Sequence, residues 1–367
     1  MNRNIPIAKP VLEKEDFSNA IKALKSGWIS SRGIYIKKFE KEFKKYLGGG
    51  IPISVSNGTV ALELAIKSLG IKFGDEVIVP NFTFAATINA VINCGAKPII
   101  VDVEKDIWTI DPNKIEKVIT KKTKAVVLVH IYGQACRIDE IKKIAKKYRI
   151  FIIEDCAESI GATYKNRMVG LDGDFSCFSF YANKTITTGE GGMVLVKSKK
   201  FAKKAEIIKN HGMSKKQKYY HTCVGSNYRM TNIQAAIGLA QIKKIKKLLN
   251  LRKKIFLIYN NLLSNSLFEK IKHNNWSENS YWLYYVIIKK KVNIKKIINN
   301  LEKQGIEAIP TFYPLNLMKP YSKYAKGRFP YSQHIGLRGI CLPSSGISLN
   351  NQKFIANKLT KEVLKFK

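Results

Sequence analysis

The chain has 367 residues, of which 45% are hydrophobic and 10% aromatic, so it can build one large and one smaller domain, and its composition argues against intrinsic disorder. Its 64 Lys and Arg residues outnumber its 27 Asp and Glu residues, giving a formal net charge of +37. Such a charge attracts anions and permits non-specific nucleic-acid binding. The lysines, however, are spread over many predicted helices, so we expect no specific nucleic-acid partner.

The cysteines and apolar segments argue against secretion and membrane insertion. The N-terminal stretch "MNRNIPIAKP" has no apolar core of the kind that signal peptides carry. The longest apolar runs, such as "AVVLVHIYG", are too short to span a bilayer. The six cysteines form no Cys-x-x-Cys pair, and most lie in apolar segments. We therefore expect reduced thiols, no metal site and a cytoplasmic protein without a membrane partner.

From residue 51 to residue 156, short β-branched runs alternate with amphipathic stretches. The predicted strands are "IPISVSN", "EVIVP", "KPIIVDV", "AVVLVHIYG" and "IFIIEDC". The predicted helices between them are "GTVALELAIKSLG", "AATINAVINCG", "IDPNKIEKVIT" and "IDEIKKIAKKY". Strands that are apolar on both faces are typical of a parallel sheet covered by helices on each side.

The pattern changes near residue 250. Before that point come the strand "GGMVLV" and the helical stretches "FAKKAEIIKN" and "TNIQAAIGLAQIKKIKKLL". After it come the strand "YWLYYVII" and the helices "NIKKIINNLEKQGI" and "QKFIANKLTKEVLKF". The sequence therefore predicts a large α/β domain with a mostly parallel sheet over residues 1–248, followed by a smaller α+β domain over residues 249–367.

Polar and aromatic residues follow the ends of three predicted strands. A parallel sheet binds its ligands beyond the carboxyl ends of its strands, where Asn57, Phe84 and Asp155 fall. The stretch from Ser56 to Thr59 joins a strand to a helix N-terminus, whose free N–H groups and dipole suit a phosphate. Taken singly, each feature has an ordinary structural alternative: a cap for Asp155, a core ring for Phe84.

Lys184 stands alone in "FSFYANKTITTGEGGMV", residues 178–194, between an apolar aromatic run and a Gly-rich turn. It could simply be a surface residue. A desolvated lysine, however, has a lowered pKa and can form a Schiff base with a carbonyl. The aldehyde of pyridoxal 5'-phosphate is such a carbonyl, and that cofactor also needs an acid for its ring nitrogen, phosphate donors and a stacking group.

Five stretches together resemble the sugar aminotransferases of the DegT/DnrJ/EryC1/StrS family. They are "SNGTVALELA", "DEVIVPNFTFAATINAV", "EDCAESIGA", "FSFYANKTITTGEGGMV" and "NYRMTNIQAAIGLAQ", and the resemblance covers roughly residues 5–365. It implies an aspartate aminotransferase-like fold (fold type I), pyridoxal phosphate as cofactor and L-glutamate as amino donor. The last two stretches most resemble the members that convert GDP-4-keto-6-deoxymannose to GDP-perosamine for surface polysaccharide.

The resemblance assigns roles around the cofactor ring. Lys184 matches the Schiff-base lysine; relatives with His at this position perform a dehydration, so the Lys implies amino transfer. Asp155 matches the partner of the pyridinium nitrogen. Glu158 lies where the family has Gln, Glu or His beside the ring hydroxyl, and Phe84 matches the stacking aromatic.

The resemblance also assigns the phosphate contacts. Gly58, Thr59 and Ser179 match residues that bind the phosphate within one subunit. Asn227, in "SNYRM", matches a residue that reaches the phosphate from the neighbouring subunit. The resemblance therefore implies a homodimer with shared active sites.

The acceptor region departs from the family pattern. Relatives often have a Thr–Arg pair and a His where this chain has Ala308, Ile309 and Asn316 in "AIPTFYPLN". Tyr313 and Asn316 in this stretch, and His211 in "KNHGMS", are candidate substrate contacts. The acceptor is expected to be a nucleotide-linked 4-keto-6-deoxy sugar. A UDP-linked 4-keto sugar, a small phosphorylated ketone and a basic nucleic-acid-binding regulator on the same fold are the alternatives.

Overall fold

The computed structural model describes residues 4–272 and 274–366. The α-helices in this part of the chain are α1 (Lys14–Lys25), α2 (Ile34–Leu47), α3 (Gly58–Leu69), α4 (Ala85–Asn93), α5 (Pro112–Ile115), α6 (Ile138–Tyr148), α7 (Lys199–Ile208), α8 (Asn232–Lys243), α9 (Ile245–Leu262), α10 (Ile294–Glu302), α11 (Pro330–Arg338) and α12 (Leu349–Leu364). Among these residues, no helix is both long and apolar enough to cross a bilayer.

A seven-stranded sheet forms the centre of the molecule. Its strands are β1 (Ile51–Val55), β2 (Glu76–Pro80), β3 (Lys97–Val101), β4 (Thr123–Val129), β5 (Phe151–Asp155), β8 (Phe175–Ser179) and β9 (Gly192–Val196). Their order is β1-β9-β8-β5-β4-β2-β3, and β9 runs antiparallel to both of its neighbours, while the other pairs are parallel. Every residue of β2 and β9 is buried, as expected for strands covered on both faces. The predicted mostly parallel α/β sheet is confirmed.

Two smaller sheets lie outside the central one. An antiparallel sheet has the order β10-β12-β14-β13, from β10 (Phe268–Glu269), β12 (Tyr284–Ile288), β13 (Ile309–Pro310) and β14 (Gly339–Leu342). A short sheet joins β6 (Thr163–Tyr164), β7 (Arg167–Met168) and β11 (Ser277–Glu278). The antiparallel sheet matches the predicted α+β character of the C-terminal part. The predicted division at residues 248 and 249 falls inside helix α9, and it remains a proposal.

The long helix predicted over "TNIQAAIGLAQIKKIKKLL" is divided in two. The backbone leaves helical geometry at Lys244, where φ is −104° and ψ is 12°. The N–H of Lys244 then donates to Gln241, three residues back, and its ammonium group pairs with Asp16 of α1. Tertiary contact with α1 accompanies this break, which periodicity alone does not reveal.

Aromatic packing anchors the segment that leads to Lys184. Phe39 and Phe43 of α2 are fully buried, and their rings lie 5.3 Å and 5.0 Å from those of Phe180 and Phe178. Phe178 belongs to β8, and Phe180 follows it directly. A Cβ at Gly238 of α8 would lie 2.7 Å from the Phe39 ring, so a glycine is required for this close approach. The segment that precedes the Lys184 loop is therefore held in place by this packing.

Candidate active site

The carboxyl edge of the central sheet holds a buried carboxylate at the end of β5. Asp155 is the last residue of that strand and is 5% exposed. Its Oδ2 accepts a hydrogen bond of 2.8 Å from Thr87 Oγ1, and its Oδ1 accepts one of 3.1 Å from the Ala157 N–H. Burial raises the pKa of Asp155, while these two hydrogen bonds and the nearby Lys184 act in the opposite direction. The side chain is thus fixed in orientation, as a ring-nitrogen partner would need to be.

The loop after β8 carries Lys184 to the same edge. The Lys184 N–H donates to Tyr181 O at 2.9 Å, forming a turn, and the side chain is 12% exposed. Its Nζ lies 3.9 Å from Glu158 Oε1 and 3.6 Å from the centroid of the Trp282 ring. Lys184 is therefore directed into the interior between a carboxylate and an aromatic face and is not a solvated surface residue.

Burial shifts the pKa values of both Lys184 and Glu158. It lowers the pKa of the Lys184 amine, an effect that Glu158 and Asp155 oppose and Arg252 reinforces. It raises the pKa of Glu158 to about 7, against the influence of Lys184 and of the Tyr132 N–H, which donates to Oε2 at 2.7 Å. Because both shifts favour uncharged forms, the site holds an amine that is more nucleophilic than an exposed lysine.

The predicted phosphate residues from two separate segments lie together. Helix α3 begins at Gly58, and the Asn57 side chain caps it by accepting a 3.0 Å hydrogen bond from Val60 N–H. The N–H groups of Gly58 and Thr59, in the first helical turn, have no intrahelical acceptor. A Cβ at Gly58 would lie 2.9 Å from Ser179 Cβ, so the Ser179 hydroxyl approaches the helix N-terminus closely. These donors suit an anion.

A row of aromatic rings lines the site. Phe84 is 58% exposed at the start of α4, so it is not the core ring that its apolar context also allowed. Its ring lies 5.7 Å from Phe312, which stacks on Tyr132 at 5.0 Å. Tyr132 in turn stacks on Trp282 at 5.7 Å, and Trp282 contacts Lys184. An exposed ring at one end of this row is available to a flat ligand.

Sequence reasoning missed Tyr132, Thr87 and Trp282. Tyr132 adopts a left-handed conformation, with φ of 49°, which is uncommon for a bulky residue and turns its N–H toward Glu158. Trp282 belongs to "YWLYYVII", whose pattern predicts only a strand. The signal that could have found it is a tryptophan placed just before a buried strand.

His211 and Asn227 meet at Arg229. Arg229 Nε donates to Asn227 Oδ1 at 2.8 Å, and its other guanidinium nitrogens approach Asn210 Oδ1 at 2.8 Å and His211 Nε2 at 3.4 Å. Both His211 and Asn227 are exposed. The backbone of Arg229 pairs with Val55, which places this group beside the end of β1. Their predicted roles remain proposals.

The candidate acceptor residues differ in their surroundings. Tyr313 is 47% exposed. Asn316 is tied to the end of β2, because Asn81 Nδ2 donates to its Oδ1 at 2.7 Å and its own N–H donates to Asn81 Oδ1 at 2.8 Å. Asn316 thus holds the "AIPTFYPLN" segment against the sheet, and its amide oxygen is already engaged.

One further polar cluster lies under the site. His130 is fully buried; its Nδ1 accepts the Cys136 N–H at 3.1 Å, and its Nε2 lies 3.0 Å from Glu154 Oε2. Glu154 also accepts N–H groups from Gly170 and Asp172. Although His130, Glu154 and Cys156 offer atoms within 4.8 Å of one another, hydrogen bonds already engage the His and Glu atoms. His130 is therefore a buried core residue whose ring nitrogens both have hydrogen-bond partners.

Comparison with known proteins agrees with this geometry. A model of the DegT/DnrJ/EryC1/StrS aminotransferase family matches residues 10–360. Two relatives, each named GDP-perosamine synthase, come from Vibrio cholerae and Escherichia coli O157:H7. They are 41% and 42% identical, over 96% of this chain and 97% and 96% of theirs.

The PLP-form structure of the putative sugar aminotransferase Spr1654 from Streptococcus pneumoniae has a TM-score of 0.93, with 28% identity over 99% of each chain. The predicted aspartate aminotransferase-like fold is thereby confirmed. This chain belongs to the DegT/DnrJ/EryC1/StrS aminotransferase family and is an aminotransferase.

Proposed function

We propose that this enzyme transfers the amino group of L-glutamate to a GDP-linked 4-keto-6-deoxy sugar, yielding GDP-perosamine or a close analogue for surface polysaccharide. The observation that carries the amino transfer is the nearly buried Lys184 amine, 3.9 Å from Glu158 at the carboxyl edge of the sheet. The choice of acceptor rests on the near-full-length similarity to relatives named GDP-perosamine synthase. The net charge of +37 favours the approach of any anionic nucleotide sugar.

Pyridoxal 5'-phosphate is the cofactor, and the residues present fit it. Gly58, Thr59 and Ser179 would hold the phosphate, because the missing Cβ at Gly58 leaves the cradle against Ser179 open. Asp155 would face the ring nitrogen, Glu158 the ring hydroxyl, and Phe84 one face of the ring. When bound, the cofactor supplies an electron-withdrawing ring that stabilises negative charge at the reacting carbon.

Residues of the chain itself transfer the proton and stabilise the charge on the cofactor ring. Lys184 Nζ accepts a proton from the donor's Cα and later returns one, as general base and acid. Its lowered pKa increases the fraction of neutral amine that can accept that proton. The Asp155 carboxylate, fixed by Thr87 and Ala157, provides the negative charge that keeps the ring nitrogen protonated. The Trp282 ring lies over the amine, and with a side chain only 12% exposed the lysine has little contact with water.

The proposed enzyme is a homodimer in which Asn227 completes the phosphate site of the neighbouring subunit. Asn227 is exposed, and its Oδ1 is fixed by Arg229. Its amide nitrogen is then the group directed away from Arg229 and able to donate to a phosphate. A cytoplasmic location is part of the same proposal, supported by six free cysteines of which four are buried, and cell fractionation would test it.

The acceptor is tested by kinetics. We expect one GDP-linked 4-keto-6-deoxyhexose to exceed UDP-linked counterparts and small phosphorylated ketones by at least about a hundredfold in kcat/KM, or about 2.7 kcal/mol of discrimination. The physical reason is that a mismatched sugar leaves buried polar groups unpaired. The measurement is kcat/KM for each acceptor with L-glutamate as donor. Preference for a small ketone would contradict the nucleotide-sugar proposal while leaving the amino transfer intact.

The role of Asp155 is tested by Asp155→Asn, which keeps the shape but removes the negative charge. We expect kcat to fall at least about a hundredfold, about 2.7 kcal/mol in barrier, while cofactor retained after dialysis falls less. Asp139→Asn is the matched control, because that carboxylate pairs with Lys165 at the surface, and we expect it to keep kcat within about twofold. Wild-type turnover by Asp155→Asn would contradict this role and would leave Asp155 only as a cap at the end of its strand.

The shared site is tested by subunit complementation. Lys184→Ala chains and Asn227→Asp chains should each be inactive, since the second change sets a carboxylate against the phosphate. Mixing them under conditions of demonstrated subunit exchange should restore part of the activity, because one site of each hybrid then has both intact residues. Activity that stays at the level of the separate variants, despite exchange, counts against a site built from two subunits.

A further inference from the structure

Arg252 lies directly behind the Lys184 loop. It belongs to α9 and is 6% exposed. Its guanidinium donates to Lys184 O at 3.1 Å and to Asn183 O at 3.3 Å, and it also donates to Trp282 O. These three carbonyl groups belong to the loop that carries the lysine and to the residue whose ring covers the lysine amine.

A second hydrogen bond joins the same two segments. Trp282 Nε1 donates to Asn183 O at 3.0 Å, so the indole contacts both the lysine amine and the backbone carbonyl of the residue before the lysine. Arg252 and Trp282 thus both bind the carbonyl group of Asn183, and Arg252 also fixes the backbone of Trp282. Lys184 Nζ lies 3.9 Å from Glu158 Oε1, and a small movement of this loop would change that distance.

Among the described residues, Arg252 is also a buried cation that donates only to neutral groups. Within residues 4–272 and 274–366, no carboxylate forms an ion pair with its guanidinium, and all three of its acceptors are carbonyl groups. Burial lowers the pKa of Arg252 to about 10, which still leaves it charged at neutral pH. A partly open cavity of about 480 Å³, lined by Arg252, Leu248, Ile255 and Lys184 among others, adjoins it and gives the cation residual access to water. An unpaired buried charge is costly, and here the three hydrogen bonds to carbonyl groups of the Lys184 loop and Trp282 offset that cost.

We propose that Arg252 is a positioning residue for Lys184, which clamps the lysine loop from behind by holding the carbonyl groups of Asn183, Lys184 and Trp282. The charged groups that face Lys184 are Glu158, Asp155 and Arg252, and the two carboxylates favour the ammonium form. Arg252 offsets part of their effect, so that the amine remains available as a nucleophile and base. This inference rests on Lys184 being the residue that bonds the cofactor and moves the proton.

The test measures the amine itself and does not require turnover. Lys184 in the full-length chain freed of cofactor is labelled with limiting acetic anhydride from pH 6 to pH 11. Peptide mass spectrometry gives its absolute rate constant at each pH, and the exposed Lys326 is followed in parallel as a reference. Only the neutral amine reacts, so the midpoint of the profile reports the pKa and the high-pH plateau reports access and position. The outcome is therefore independent of the identity of the acceptor.

Two variants separate charge from clamping. Arg252→Gln retains hydrogen-bond donors but removes the charge, and Arg252→Met removes both. Losing a positive charge stabilises the ammonium form and raises the midpoint, so labelling at pH 7 should slow by about threefold to tenfold in both variants. The high-pH plateau should stay near wild type in Arg252→Gln and change in Arg252→Met, where the loop is also released.

Arg338→Gln is the matched control, since it removes one positive charge from an arginine that donates to Lys289 O, and it should leave the profile unchanged. Melting temperatures identify variants that fail to fold; either folded variant decides the electrostatic role, and folded Arg252→Met decides the clamp. A folded Arg252 variant whose midpoint equals that of wild type would overturn the electrostatic role. An unchanged plateau in folded Arg252→Met would overturn the clamp.

Discussion

The close approach of the Lys184 amine to Glu158, in a site nearly closed to water, is the interaction on which the rest of the structure depends. Burial penalises the charged form of each group, while their mutual attraction favours it, so neither can be changed without altering the other. The surrounding chain maintains this balance. Tyr132 adopts a left-handed conformation that directs its N–H to Glu158, and the Trp282 ring covers the amine.

Sheet topology brings these groups together. The parallel strands β1, β2, β5 and β8 all end at the same edge, so Asn57, Phe84, Asp155 and the Lys184 loop converge although they are far apart in sequence. The smaller antiparallel sheet contributes through Trp282, just before β12. Helix α9 contributes Arg252 from behind the Lys184 loop. The C-terminal part of the chain therefore closes the site. It also contributes Arg252, whose charge helps to lower the pKa of the Lys184 amine.

The sequence predicted the local parts of the site better than the long-range ones. The strand ends, the α3 cap and the isolated Lys184 could be identified because period, capping and turn residues are local signals. Arg252 and Trp282 could not, because they reach the Lys184 loop across 68 and 99 residues of sequence. The break at Lys244 was missed for the same reason, since Asp16 lies 228 residues away. Arg252 had one usable signal: an arginine in a helix whose other basic residues are lysines.

The central claim is that Lys184 bonds the cofactor, and chemical reduction tests it most directly. The cofactor-loaded enzyme is treated with borohydride, digested and analysed by mass spectrometry, with Lys184→Ala as the control. The account predicts a reduced pyridoxyl phosphate group attached to Lys184 Nζ, and no such attachment at any lysine of the Lys184→Ala chain. A label on another lysine, or full turnover by Lys184→Ala, would contradict it.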